Sequence, residues 1–406
     1  VNFRVINLGE TKIPNSKHGV NLEHLIKRGI TLDLGGKTPL GRQDKPYTLI
    51  QTVAGMLHYL RNEGNRVEHI DKNLPYILES TCYIYGDEQL HKAYYAQKTA
   101  FLSASAIYKG RAIVRMLDGV VEWDYTHPDT VGPKPKKQIG NIEEFQLQLD
   151  IEDQGKLYDV KKEIYRLPDR LLYGLAFYYG IVPRSGWDAV EQLFDRNIIR
   201  SEAVQYLGYI MSFANMLRLK TYLHYGQQKE GLTMLGGLSQ EEAQGEIKKA
   251  LCLPPEALQT DGSLFKYYYS AIPLHFSMKI FFNEQKTLSV DQELSFFSKE
   301  TFYDNDDLIN ALIHSRLLQW RKSRMYYEEE LQSRVLSYGN HPSVAKILAN
   351  LGLVCLSLSE YRDARQYLDR ALLISESIYE GNHPSVAKIL ANLGLVCLSL
   401  SEYRDA

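Results

Sequence analysis

The chain has little cysteine: four in 406 residues, at Cys82, Cys252, Cys355 and Cys397. Cysteines so widely spaced imply neither a disulfide framework nor a zinc site, and a reducing cytoplasm fits best. A secreted effector is the alternative compartment. No apolar run reaches the length of a bilayer span, so no membrane partner is expected. Neither charge sign is in excess: 47 Lys and Arg stand against 49 Asp and Glu, for a net charge of -2. A general nucleic-acid binder is usually basic, and none is expected here. HExxH, GxSxG and CxxC motifs are all absent, and the histidines show no ligand spacing. What the chain does have is ordinary apolar content, 44%, and 29 tyrosines, which suit amphipathic helices with half-buried rings.

Two short strands are read near the start, "FRVINL" at 3–8 and "ITLDLGG" at 30–36. From Pro46 the apolar residues Leu49, Val53, Met56, Leu57 and Leu60 fall at helical spacing. Helical patterning continues through "EQLHKAYYAQKTAFLSASAIYKGRAIVRML", where Gly86 breaks one helix and Asp87 caps the next. Residues 122–141, rich in Pro, Gly and Lys, read as a linker or loop. A second helical region runs from about Phe145 to Gln228, with a turn at Asn197–Arg200 and a helix start at Ser201. A third covers 240–335, interrupted around "CLPPEALQTDGS".

The sequence "GNHPSVAKILANLGLVCLSLSEYRDA" occupies 339–364 and recurs without change at 381–406, 42 residues further on. A period of this size signals stacked supersecondary units. Val344, Leu348, Leu351 and Cys355 share one helical face, and Gly352 permits a close helix approach. Ala364, Tyr367, Leu368, Ala371 and Ile374 form the facing stripe. Gly381 suits a left-handed helix end and Pro384 a first helical turn. Leu348, Leu351, Gly352, Cys355, Ala364, Leu368 and Ala371 fall at signature spacings, so this region resembles a tetratricopeptide repeat, in the long form of kinesin light chains. The segment 325–340 is read in register with 367–382, as the second helix of an earlier repeat. Arrays of this kind bury a continuous core by stacking, and the resemblance implies a protein partner.

"GITLDLGGKTPLGR", 29–42, contains half of a P-loop. The full motif needs glycine where Thr31 stands, and Pro39 opposes the helix that Lys37 and Thr38 would have to open. "IGNIEEFQLQLDIED", 139–153, pairs carboxylates after a glycine but lacks the second small residue, and reads as a solvated helix face.

"VINLGETKIPNSKHGVNLEHLIKRGITLDLGGKTPLGR" together with "LPYILESTCYIYGDEQLHKAY" resembles nucleotidyltransferase domains related to the N-terminal part of protein-PII uridylyltransferases. The resemblance covers about residues 1–230, with the 186–225 region matching the helical domain that follows in that family. It implies a site in which carboxylates hold Mg²⁺ against a nucleoside triphosphate as pyrophosphate leaves. Asp33 would be the third acid, as metal ligand or as base, with Glu10 the rival candidate. Lys37 and Arg42 would bind phosphate. The family's glycine-serine turn and paired acids are not found, and are expected upstream of Val1, since the chain reads as a fragment that is inactive alone. As alternatives, Asp33 caps a turn and Lys37 and Arg42 are solvated.

The expected fold is mostly α: a truncated α/β nucleotidyltransferase-like start (1–121), the linker or loop at 122–141, a helical bundle of substrate-binding type (142–300) and a tetratricopeptide α-solenoid (301–406). Within the last, 339–380 and 381–406 are the clear repeats, the second incomplete. The expected function is nucleoside monophosphate transfer, to a protein acceptor among others, with the repeats recruiting a partner. The alternative is a non-catalytic interaction scaffold.

Overall fold

The computed structural model describes residues 52–61, 78–79, 81, 83, 86–104, 106–126, 156–225, 231–233, 253–379 and 383–400. The elements, in chain order, are α1 (Val53–Leu60), α2 (Glu88–Ala104), α3 (Ala106–Thr126), β1 (Lys156–Asp159), a π-helical turn (Val160–Tyr165), α4 (Arg166–Tyr178), α5 (Gly186–Asp195), α6 (Ser201–Tyr225) and β2 (Gly231–Thr233). A 3-10 turn (Pro255–Leu258), α7 (Ser263–Glu284), α8 (Val290–Ser295), a second 3-10 turn (Phe296–Lys299), α9 (Asp307–Arg316), α10 (Trp320–Tyr338), α11 (Pro342–Ser357), α12 (Tyr361–Ile378) and α13 (Pro384–Ser399) follow. The described residues are thus mostly helical, and β1 and β2 pair in one two-stranded sheet. The strands expected at 3–8 and 30–36 lie outside the described residues. Helix α3 continues to Thr126, so 122–126 is helix and not the start of a linker. The apolar face of that helix, with Val120 and Trp123 buried, carries it past the sequence boundary.

These residues group into two units, each drawn from several stretches of chain. The first takes the described residues of 1–126, 158–232 and 275–301, and the second those of 127–157, 233–274 and 302–406. Residues expected in two successive domains therefore share the first unit.

In the first unit, α3 packs on α4, with Met116, Val120 and Trp123 of the one and Leu167, Leu171 and Leu175 of the other all buried. Gly174 makes this approach possible, since a Cβ there would sit 2.3 Å from Met116 Cγ. Asp87 caps α2 as its sequence suggests, its carboxylate accepting from the Gln89 and Leu90 amides at 2.9 and 3.0 Å. The turn between α5 and α6 falls where expected, with Asn197 at φ 57, a left-handed conformation that asparagine tolerates better than most side chains. Two buried side chains, Lys279 and His275, meet the half-buried carboxylate of Asp124. Lys279 Nζ donates to both Asp124 oxygens, at 3.1 and 2.8 Å, and His275 Nε2 lies 3.0 Å from Asp124 Oδ1. Lys279 is 6% and His275 2% exposed. Burial lowers the His275 pKa against the pull of Asp124. Burial would raise that of Asp124, but the hydrogen bonds and charges of His275 and Lys279 hold it below the usual value.

In the second unit, α9–α10 and α11–α12 are helix pairs, and α13 packs on α12 and, more lightly, on α11. Buried Val344, Leu348, Leu351, Cys355, Ala364, Leu368, Ala371 and Ile374 join Ala311, Tyr327 and Leu331 in one core. Segment 253–262, with its 3-10 turn, leads into α7, whose Tyr269 hydroxyl donates to Asn310 Oδ1 at 2.7 Å inside the core. Buried His314, on α9, sits between Thr260 and Gln319, at 3.2 and 2.6 Å, under the stacked ring of Tyr326. Burial lowers its pKa to about 4, so the ring is neutral near pH 7.

Candidate protein-binding surface

The helix pairs repeat one design. Leu318 and Ser359, 41 residues apart, take the same left-handed conformation in the turns within the two pairs, at φ 56 and 61. His341 and His383, 42 residues apart, cap α11 and α13. The register of 42 read for 325–340 therefore holds at the histidine caps and slips by one residue at the preceding turns. Ala311 takes the place of Gly352 in this frame, with Tyr327 at the place of Leu368. Gly352 is needed in α11 because a Cβ there would lie 2.5 Å from Leu368 Cγ.

Polar groups lock the pairs together. Ser323 Oγ donates to the Ala311 carbonyl at 2.8 Å, in the core. Asn350 Nδ2 donates to the Tyr327 hydroxyl at 3.2 Å, joining α11 to α10. Arg324 on α10 pairs with Glu328 at 2.8 Å, with Asp363 at 3.0 Å and with Glu360. Its pKa is raised chiefly by the hydrogen bond with Glu328. The Tyr367 hydroxyl donates to Glu328 at 3.1 Å, and burial pushes its pKa up to about 12. This clamp was not read from the sequence, although the second copy of "SEYRDA" repeats the acids as Glu402 and Asp405, and Arg365 pairs with Asp369 at 3.8 Å as Arg324 does with Glu328. Burial also pushes the Cys355 thiol up to about 12, which makes it an inert core residue.

The helices that begin each pair carry an outward stripe. On α11 it is Lys346, Ala349 and Leu353, and on α13 Lys388, Ala391 and Leu395, at i, i+3 and i+7 within each helix and so on one helical face. Lys346 is exposed and Ala349 and Leu353 are half-buried. Lys388, Ala391 and Leu395 are all exposed. Leu308 and Leu312 hold the corresponding places on α9, half-buried, and like Ala349 they pack in part against the core.

The family model for the tetratricopeptide repeat matches residues 308–372 and 357–406. Residues 308–406 are tetratricopeptide repeats. Their start falls on α9, so the α9–α10 pair is a repeat in its own right. No curated protein and no solved structure matches the chain.

Glu10, Asp33, Lys37 and Arg42 lie outside the described residues. Among the described residues, no group of three or more His, Cys, Asp and Glu side chains could hold a metal ion, and no helix is long and apolar enough to cross a membrane.

Proposed function

We propose that the repeats hold a partner protein by a segment laid across α9, α11 and α13, with Leu312, Leu353 and Leu395 taking apolar side chains and Lys346 and Lys388 taking acidic ones. Protein interaction is the role that tetratricopeptide repeats support. The recurrence of Lys, Ala and Leu at matched places on successive helices carries the finer reading. Helix-pair arrays expose such extended surfaces because each unit contacts only its neighbours. Selection of a displayed random 12-residue peptide library on the full chain tests it. Enriched peptides will be acidic and apolar, and Lys346→Glu with Lys388→Glu will weaken them at least about tenfold, a loss of about 1.4 kcal/mol. Peptides that are not acidic, or that bind the double variant equally, would refute this surface.

A transferase reading rests on the resemblance of residues 1–230, with Asp33 or Glu10 serving Mg²⁺ and the reaction, and Lys37 and Arg42 serving the triphosphate. The scaffold alternative assigns these residues no chemistry. Incubation of the chain, or of any longer protein that contains it, with labelled ATP or UTP and Mg²⁺ distinguishes them. Transfer to an acceptor that Asp33→Ala abolishes supports the enzyme, whereas no transfer favours the scaffold.

A further inference from the structure

We infer that the joints between successive helix pairs are proton-sensitive, because each is closed by a histidine that must be neutral to cap the next helix. His341 Nδ1 accepts the Ser343 amide at 3.2 Å and lies 2.9 Å from the Ser343 hydroxyl. His383 Nδ1 accepts the Ser385 amide, again at 3.2 Å. A ring nitrogen accepts only while it carries no proton, so both rings are fixed with hydrogen on Nε2. Pro342 and Pro384 follow the caps and have no amide hydrogen. The Ser343 and Ser385 amides are therefore the first donors of their helices, and the histidines satisfy them.

A tyrosine stands beside each ring. Tyr338, the last residue of α10, faces His341 with ring centroids 5.5 Å apart. Tyr379, just after α12, stacks flat on His383, 3.7 Å away and 2° from parallel. The nearest charged side chains on their own helices are Lys346 and Lys388, of the same sign as a protonated ring. Among the described residues, neither imidazole has a carboxylate partner. Adding a proton has two adverse consequences. The cap acceptor is lost, and a positive charge is set at a helix N-terminus, where the backbone dipoles already present partial positive charge. The tyrosine faces offset this in part, since aromatic rings attract cations. Protonation of either ring therefore loosens its joint. The same motif, "NHPS", stands at both joints, so both respond together.

The experiment compares the full chain with the His341→Asp/His383→Asp double variant, since ionised aspartate caps helices at neutral and mildly acid pH. Circular dichroism melts at pH 7.5 and 5.5 read the midpoint of the repeats. The drop in midpoint on acidification is expected to be larger in the wild type than in the double variant by about 3 °C or more, in line with the usual response of domains of this size to a lost cap. His314 does not confuse the comparison, since it is present in both proteins and its pKa is lowered to about 4. Equal losses in the two proteins would overturn the inference. A second measurement needs no substitution. Nitrogen NMR of the imidazoles at pH 7.5 will show hydrogen on Nε2 of His341 and His383, and finding it on Nδ1 would overturn the inference as well.

Discussion

Asp124→Ala will cost the first unit about 4 kcal/mol, the range seen when one partner of a buried ion pair is removed. The substitution leaves the Lys279 ammonium 6% exposed, with the two hydrogen bonds to its carboxylate gone. His275 cannot take the place of Asp124, because an imidazole supplies no negative charge. Removing charge from both sides tells a different story. Asp124→Asn with Lys279→Met will cost under about 1 kcal/mol, since no buried ion is left without a partner. Urea unfolding followed by the fluorescence of buried Trp123, whose ring centroid is 5.9 Å from that of His275, reads the difference. Equal losses in the two variants would show that packing, and not charge, holds α3 to the His275–Glu284 part of α7. The sign with pH follows from the lowered Asp124 pKa. The pair's contribution is present above the ordinary carboxylate value of about 4 and is lost as pH falls through the lower, folded value.

This triad shows where the sequence falls silent. Asp124 and Lys279 are 155 residues apart and belong to no motif. Asp124 even stands in a stretch that reads as linker, because the run of Pro, Gly and Lys after it masks the helical pattern ending at Thr126. By contrast, the repeats are legible. Copying 26 residues fixes the period without any other knowledge, and the apolar spacing in the copy gives the buried face of α11 and the stripe of α12. The α9–α10 pair is only half visible. Its apolar pattern is broken by buried Asn310, His314 and Ser323, each satisfied by a hydrogen bond from a segment distant in sequence or across the pair. A one-residue slip then hides the match between Tyr327 and Leu368 from any fixed period. The residues of the Arg324 clamp carry no apolar pattern, because ion pairs across repeats follow side-chain reach, and their signal is the recurrence of the charges themselves. Those acids are 43% and 45% exposed, so the clamp adds little to stability.

Gly352→Leu will cost the repeats about 3 kcal/mol, the upper part of the range for overpacking a close-fitting core. Three Leu368 side-chain carbons stand within 2.5 to 3.2 Å of the added Cβ, so the whole head of that side chain must move. Leu368 is fully buried between α11 and its neighbours and has no vacant space to enter. Leu368→Ala alone will also cost about 3 kcal/mol, by leaving a cavity. The two together will cost less than their sum by at least about 1 kcal/mol, because each change relieves the fault of the other. The chain supplies its own control for helix propensity. Gly394 stands at the matching place in α13, within an identical 16-residue helix, and is partly exposed. Leucine favours helix over glycine by about 0.8 kcal/mol in either helix, so the difference between Gly352→Leu and Gly394→Leu isolates the packing term. Equal effects at the two sites, read from denaturant midpoints, would mean that the glycine serves the helix alone. A large cost confined to Gly352 means that it serves the contact with Leu368, which is what sets the spacing of the pair and hence the spread of Lys346, Leu353 and their counterparts along the helices.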